Sequence, residues 1–158
     1  MHRYVKGARS ERELLGKFYD LGYSVVRAAG SGVNALGPDI LAIKNGFCLS
    51  FECKAWDRGS LSLEPEQFEK LIEWERNSAT STFVAWKIKN RGWLFIRLSE
   101  FTKGEKNFNV TMKKAFEINR TIDAILALCG ESVKNIDSGG VQAAEAQPSS
   151  TDIGQADM

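Results

Sequence analysis

Pro38-Asp39-Ile40-Leu41-Ala42-Ile43-Lys44-Asn45-Gly46-Phe47-Cys48-Leu49-Ser50-Phe51-Glu52-Cys53-Lys54 is a pair of strand-forming runs around an Asn-Gly dipeptide. Asn-Gly between two such runs is the strongest short-range hairpin signal, and a two-residue loop fixes the register. With Asn45 and Gly46 as the loop, Lys44 stands opposite Phe47, Ile43 opposite Cys48, and Asp39 opposite Glu52. Residues two apart on a strand share a face, so Lys54 projects beside Glu52. Like charges directly opposed destabilise a sheet. The Asp39–Glu52 pair therefore calls for something positive in the gap, and hard oxygen ligands suit a hydrated divalent ion such as magnesium. The other face of the hairpin presents Ile40, Ala42, Leu49, Phe51 and Cys53, while the carboxylate face carries Leu41 and Ile43 further along. Both faces are thus expected to be buried, which places the hairpin centrally in a sheet.

Upstream of the hairpin, Ser10-x-x-Glu13 reads as a capping box, and Leu14, Leu15, Phe18 and Leu21 form an apolar stripe ending at Gly22. Glu11 lies in line with that stripe by helical spacing. An acidic residue in a first helical turn is also favourable in its own right. Tyr23–Ala28 reads as a strand, and the Gly30–Gly37 segment as a glycine-rich loop, which marks either flexibility or close backbone approach to a ligand. Downstream, Glu64–Ser78 reads as a helix with Pro65 in its first turn. Thr82–Ile88 and Trp93–Leu98 read as strands joined by Lys89-Asn90-Arg91-Gly92, Phe108–Thr111 as a short edge strand, and Thr121–Cys129 as a closing helix.

The 158 residues suit one domain with a real core, and 43% hydrophobic with 26% charged content is ordinary for a globular chain. No apolar run is long enough to span a bilayer, and the N-terminus has positive charge but no apolar core of a signal peptide. Three cysteines (Cys48, Cys53, Cys129) with no C-x-x-C pair, beside the single His2, argue against a zinc site and for reduced, structural thiols. A cytoplasmic protein is expected. Residues 131–158 hold one lysine and five acidic residues and few apolar ones, so a disordered acidic tail is expected after a folded domain of residues 1–130. The tail's net −4 leaves +5 on the rest of the chain, which suits a polyanionic partner.

The chemistry open to Asp39, Glu52 and Lys54 is that of a metal-dependent hydrolase. The two carboxylates hold a divalent ion, which stabilises charge on a phosphate and lowers the pKa of bound water. Lys54 orients that water or balances charge in the transition state, and the backbone carbonyl of Cys53 is a further candidate ligand. The same residues also fit a simpler arrangement, with Glu52–Lys54 a surface ion pair and Asp39 a strand-start residue after Pro38. Spacing alone does not choose between the two. The aromatics Trp56, Phe68, Trp74, Trp86 and Trp93 fall at strand and helix spacing and read as core or interface rather than as base-stacking platforms.

One order of segments is more specific: Lys6-Gly7, Glu11-Arg12, Val25-Val26-Arg27-Ala28-Ala29-Gly30-Ser31, Pro38-Asp39-Ile40, then Phe51-Glu52-Cys53-Lys54. This series resembles the archaeal Holliday junction resolvases, members of the restriction-endonuclease-like PD-(D/E)xK nuclease superfamily, over about residues 6–128. The resemblance implies an α/β fold with a mixed central sheet flanked by helices, assembled as a homodimer. It implies metal binding by Glu11, Asp39 and Glu52, a catalytic Lys54, and a contribution to catalysis from Ser31 in a mobile loop. Magnesium is the expected ion, with manganese as the alternative. Arg12 and Arg27 match basic residues associated with junction DNA, and Lys6, Arg9, Lys89 and Arg91 are further candidates for phosphate contact, each equally at home on an ordinary solvated face. A dimer needs a contact face, and Phe68 and Trp74 on the second helix are the candidates. The expected activity is resolution of four-way junctions by paired cuts. Another DNA nuclease of the superfamily, or a non-catalytic DNA-binding module on the same fold, is the alternative.

Overall fold

The computed structural model describes residues 2–28 and 37–130, with side chains from Gly7 onward. Ser31, most of the Gly30–Gly37 loop and the 131–158 tail lie outside the described residues. Helix α1 (His2–Asp20) leads into strand β1 (Ser24–Arg27), and the hairpin follows as β2 (Ile40–Lys44) and β3 (Phe47–Ala55). Strand β4 (Ser60–Leu63), helix α2 (Pro65–Ser78) and strands β5 (Ser81–Ile88) and β6 (Gly92–Arg97) come next. A short 3-10 turn (Leu98–Glu100), strands β7 (Thr102–Lys103) and β8 (Phe108–Thr111), and helices α3 (Met112–Ile118) and α4 (Ile122–Leu128) complete the chain.

The five-stranded sheet has the order β1-β2-β3-β5-β6. Only β3 and β5 run parallel, joined by a crossover through β4 and α2; the other neighbours are antiparallel. Asn45 and Gly46 both have positive φ, 50° and 81°, as the tightest hairpin turn requires. Lys44 pairs with Phe47, Ile43 with Cys48 and Ile40 with Phe51, so the register set by the turn carries Asp39 to a place opposite Glu52.

Two cores cover the sheet. On one face, α1 and α4 bring Leu14, Phe18, Ile125 and Leu126 onto Ile40, Ala42, Leu49, Phe51, Phe83 and Phe95. Phe18 stacks on Phe51 at 4.8 Å between ring centroids. On the other, α2, α3 and a second, three-stranded sheet (order β4-β8-β7) bury Leu61, Leu63, Leu71, Val84, Trp86, Leu94 and Ile96. Strands β5 and β6, covered on both sides, are near-continuous apolar runs for that reason.

Four expectations need correction. Helix α1 begins well before Ser10, which is buried mid-helix, so Ser10-x-x-Glu13 is no cap. Leu14 and Phe18 in the second half of the helix are the α1 residues fully buried against the sheet. Strand β8 is not an edge, since β4 and β7 flank it on both sides. Strand β4 was missed although Ser60-Leu61-Ser62-Leu63 alternates with the period of a strand. The carboxylate face is covered only in part: Ser50 and Glu52 are buried beneath α2, but Val26 and Ile43 are 52% and 41% exposed, because α2 does not reach β1 and the turn end of the hairpin.

Candidate active site

The site forms where β1, β2 and β3 end between the first half of α1 and the start of α2. Pro38 delivers Asp39 into the start of β2. Asp39 Oδ2 accepts a hydrogen bond from the Cys53 backbone N–H at 2.8 Å, which ties it to the strand carrying Glu52 and Lys54. Glu52 is buried. Its Oε1 accepts from Lys54 Nζ at 2.6 Å and from Gln67 Nε2 of α2, also at 2.6 Å. Glu11 of α1 approaches from the other side, and its Oε2 accepts from Arg27 Nε at 3.0 Å and from the Arg27 terminal nitrogen at 2.6 Å.

The electrostatics follow from crowding three acids around two cations. Burial, then the neighbouring Glu52 charge, pushes Asp39 up from 3.8 to about 7. Glu11 adds to the rise, while the Cys53 N–H and Lys54 oppose it. Burial, followed by the charges of Asp39 and Glu52, drives the Cys53 thiol well up, so it stays protonated and offers no thiolate as nucleophile or ligand.

The expected site residues are brought together unequally. Asp39, Glu52 and Lys54 meet as the register requires, so the surface ion-pair arrangement fails: Glu52 is buried and α2 closes over it. Glu11 belongs to the same electrostatic group but is bound by Arg27, and no cluster of three or more His, Cys, Asp or Glu side chains is close enough to hold a metal among the described residues. Arg9 borders an open hollow of about 370 Å³ with Lys87 and Lys89. Arg12, Arg27, Lys89 and Arg91 are exposed, with the Arg91 guanidinium over the Phe116 ring. Lys6 lies on α1, and its side chain is outside the described part. Phe68 is committed within the chain, stacked on Phe108 at 3.8 Å, whereas Trp74 is half-buried and packs against Gly37 just before Pro38. Gln67 carries no signal in the sequence: a glutamine in the first turn of an amphipathic helix has no spacing that marks it. Glu13, read as a cap, instead pairs with Lys87 and accepts from Trp93 Nε1 at 3.1 Å.

A mixed sheet with helices on both faces, carrying an Asp opposite a Glu-x-Lys at its end, defines a nuclease of the restriction-endonuclease-like class. A solved bacterial homing endonuclease shares the fold, with a TM-score of 0.53 at 12% identity over 82% of this chain and 98% of that one. The family model described as archaeal Holliday junction resolvase matches residues 2–128, and the chain belongs to that family. It is similar to the crossover junction endodeoxyribonuclease Hjc of Archaeoglobus fulgidus, with 33% identity covering 66% of this chain and 78% of that protein. The Hjc of Methanocaldococcus jannaschii is 34% identical over 68% of this chain and 77% of its own length. The solved structure of Archaeoglobus fulgidus Hjc, a Holliday junction resolvase, superposes with a TM-score of 0.69 at 26% identity, covering 82% of this chain and 99% of that one. No helix among the described residues is long and apolar enough to cross a membrane.

Proposed function

We propose that the protein is a structure-selective, divalent-metal-dependent endodeoxyribonuclease. It resolves four-way DNA junctions in the cytoplasm by paired, symmetric phosphodiester hydrolysis. The observation that carries this is Asp39 set opposite the buried Glu52, with Lys54 beside it, in a chain of the resolvase family.

The residues fit a magnesium ion. The donors are hard oxygens: the carboxylates of Asp39 and Glu52 and the Cys53 carbonyl. Burial and the neighbouring Glu52 charge both work against an ionised Asp39, and a cation held between the carboxylates would offset them. Magnesium, or manganese in its place, supplies charge stabilisation at the phosphate and a more acidic water. Lys54 Nζ, 2.6 Å from Glu52 Oε1, is placed to orient the attacking water or to balance negative charge as it builds on a phosphate oxygen. Glu11 completes the acidic group when Arg27, whose side chain is 40% exposed, turns from it to a DNA phosphate. Lys6, Arg9, Arg12, Lys89 and Arg91 add phosphate contacts, and Ser31 acts from its loop.

Two symmetric cuts need two sites, hence a homodimer. Trp74 and Phe68 of α2 are the candidates for its contact face, and the exposed apolar side chains of Val26, Ile43 and Ile72 are consistent with an apolar contact between copies. The 131–158 tail stands apart from this core function.

The test is cleavage of a labelled four-way junction against a duplex of matched sequence, with and without magnesium. Paired cuts in the junction that require magnesium support the reading. Equal cutting of the duplex returns it to a general nuclease, and metal-dependent binding without any cutting refutes it.

A further inference from the structure

Glu52 is held by two donors at one atom. Lys54 Nζ and Gln67 Nε2 both lie 2.6 Å from Oε1, while Oε2 receives no hydrogen bond among the described residues. Gln67 stands in the first turn of α2, an element that contributes none of Asp39, Glu52 or Lys54. The terminal torsion of a glutamate is broad, so an unrestrained carboxylate turns freely about it. Two donors converging on Oε1 from β3 and from α2 fix the plane of the group and leave Oε2 uncommitted. The donors differ in kind. The ammonium neutralises the carboxylate, whereas the amide anchors it and adds no charge that would repel a cation.

We propose that Gln67 is a positioning residue for the divalent ion: its amide fixes Glu52 at Oε1 so that Oε2 is held for the cation. This rests on the reading of Asp39 and Glu52 as cation ligands.

The experiment compares Q67M, which keeps the length and loses the donor, with Q67K, which keeps a donor and adds a charge. Manganese alone is titrated into the full chain by calorimetry without DNA, and junction cleavage is followed against manganese concentration. Groups that orient a metal ligand are typically worth about 10–100-fold in metal affinity. Q67M is expected to bind manganese about tenfold or more weakly. The manganese needed for half-maximal cleavage should rise in step, with the rate at saturating metal close to that of the unaltered protein. Q67K is expected to bind at least as weakly as Q67M, because a second ammonium competes with the cation. The charge of Q67K weakens binding whether or not the amide positions Glu52, so Q67M decides. Unchanged affinity in Q67M overturns the proposal, and should Q67M fail to fold, judged by its urea midpoint in EDTA, Q67L, which also lacks the donor and adds no charge, decides in its place. Asp39→Asn separates the two levels of failure. If it loses manganese while Q67M does not, only the assignment of Gln67 falls. If it binds as the unaltered protein does, the carboxylates are not the ligands.

Discussion

Replacing Asp39 with asparagine should make the metal-free protein more stable, and increasingly so as pH rises. Asp39 holds its proton to about 7 in the fold and to 3.8 when unfolded. A group whose folded pKa is raised contributes nothing unfavourable below its unfolded pKa. Its contribution becomes destabilising as pH climbs toward the folded value, and levels off above it. At about 1.4 kcal/mol per pKa unit, the shift amounts to about 4 kcal/mol of destabilisation at about pH 8 and almost none at about pH 4. Asparagine lacks the charge but keeps an oxygen that can accept the Cys53 N–H bond. Urea unfolding of both proteins in EDTA, at equal concentration, measures the gap. It should grow steadily between those pH values and be largest on the alkaline side. Adding magnesium should narrow it, because an ion that binds only the folded state stabilises the unaltered protein by mass action, about 2.7 kcal/mol at a hundred times its Kd. Parallel pH profiles for the two proteins would refute the reasoning, since Asp39 would then carry no buried charge.

Lys54→Ala should raise the barrier to cleavage by about 3 kcal/mol, the usual scale for one lost transition-state donor, with junction affinity nearly unchanged in a binding assay. Gly37→Ala should slow cleavage, because the added Cβ would lie 2.8 Å from the Trp74 ring and push the Pro38-Asp39 segment aside; trimming Trp74 to leucine in the same chain should restore activity. Ala79→Gly should stabilise the protein by about 1 kcal/mol in urea unfolding, since Ala79 closes α2 at a φ of 52° that glycine adopts without penalty. Truncation after Gly130 should leave cleavage intact and tighten junction binding at low salt, an effect that fades as salt screens the removed −4 charge.

The hairpin was legible because its determinants are local. Asn45-Gly46 sets the turn, the turn sets the register, and the register places Asp39 opposite Glu52 with Lys54 beside it, all within seventeen residues. The strands β5 and β6 and the helix α2 were legible from runs of apolar residues with a strand or helix period. What only the tertiary structure decided involves partners distant in sequence. Gln67 reaches Glu52 because a crossover helix must lie over a parallel pair of strands, and no spacing rule marks which of its residues will land on the carboxylate. Glu13, which looked like a cap, is drawn to Lys87 and Trp93 across more than seventy residues. The second sheet pairs β4 with β8, two four-residue strands about fifty residues apart, and nothing local in either marks the other as its partner. The exposure of Val26 and Ile43 likewise depends on where α2 stops, which is a matter of packing. Local chemistry fixes turns and register within a few residues, whereas the neighbours of a side chain across the fold are set by how whole elements pack.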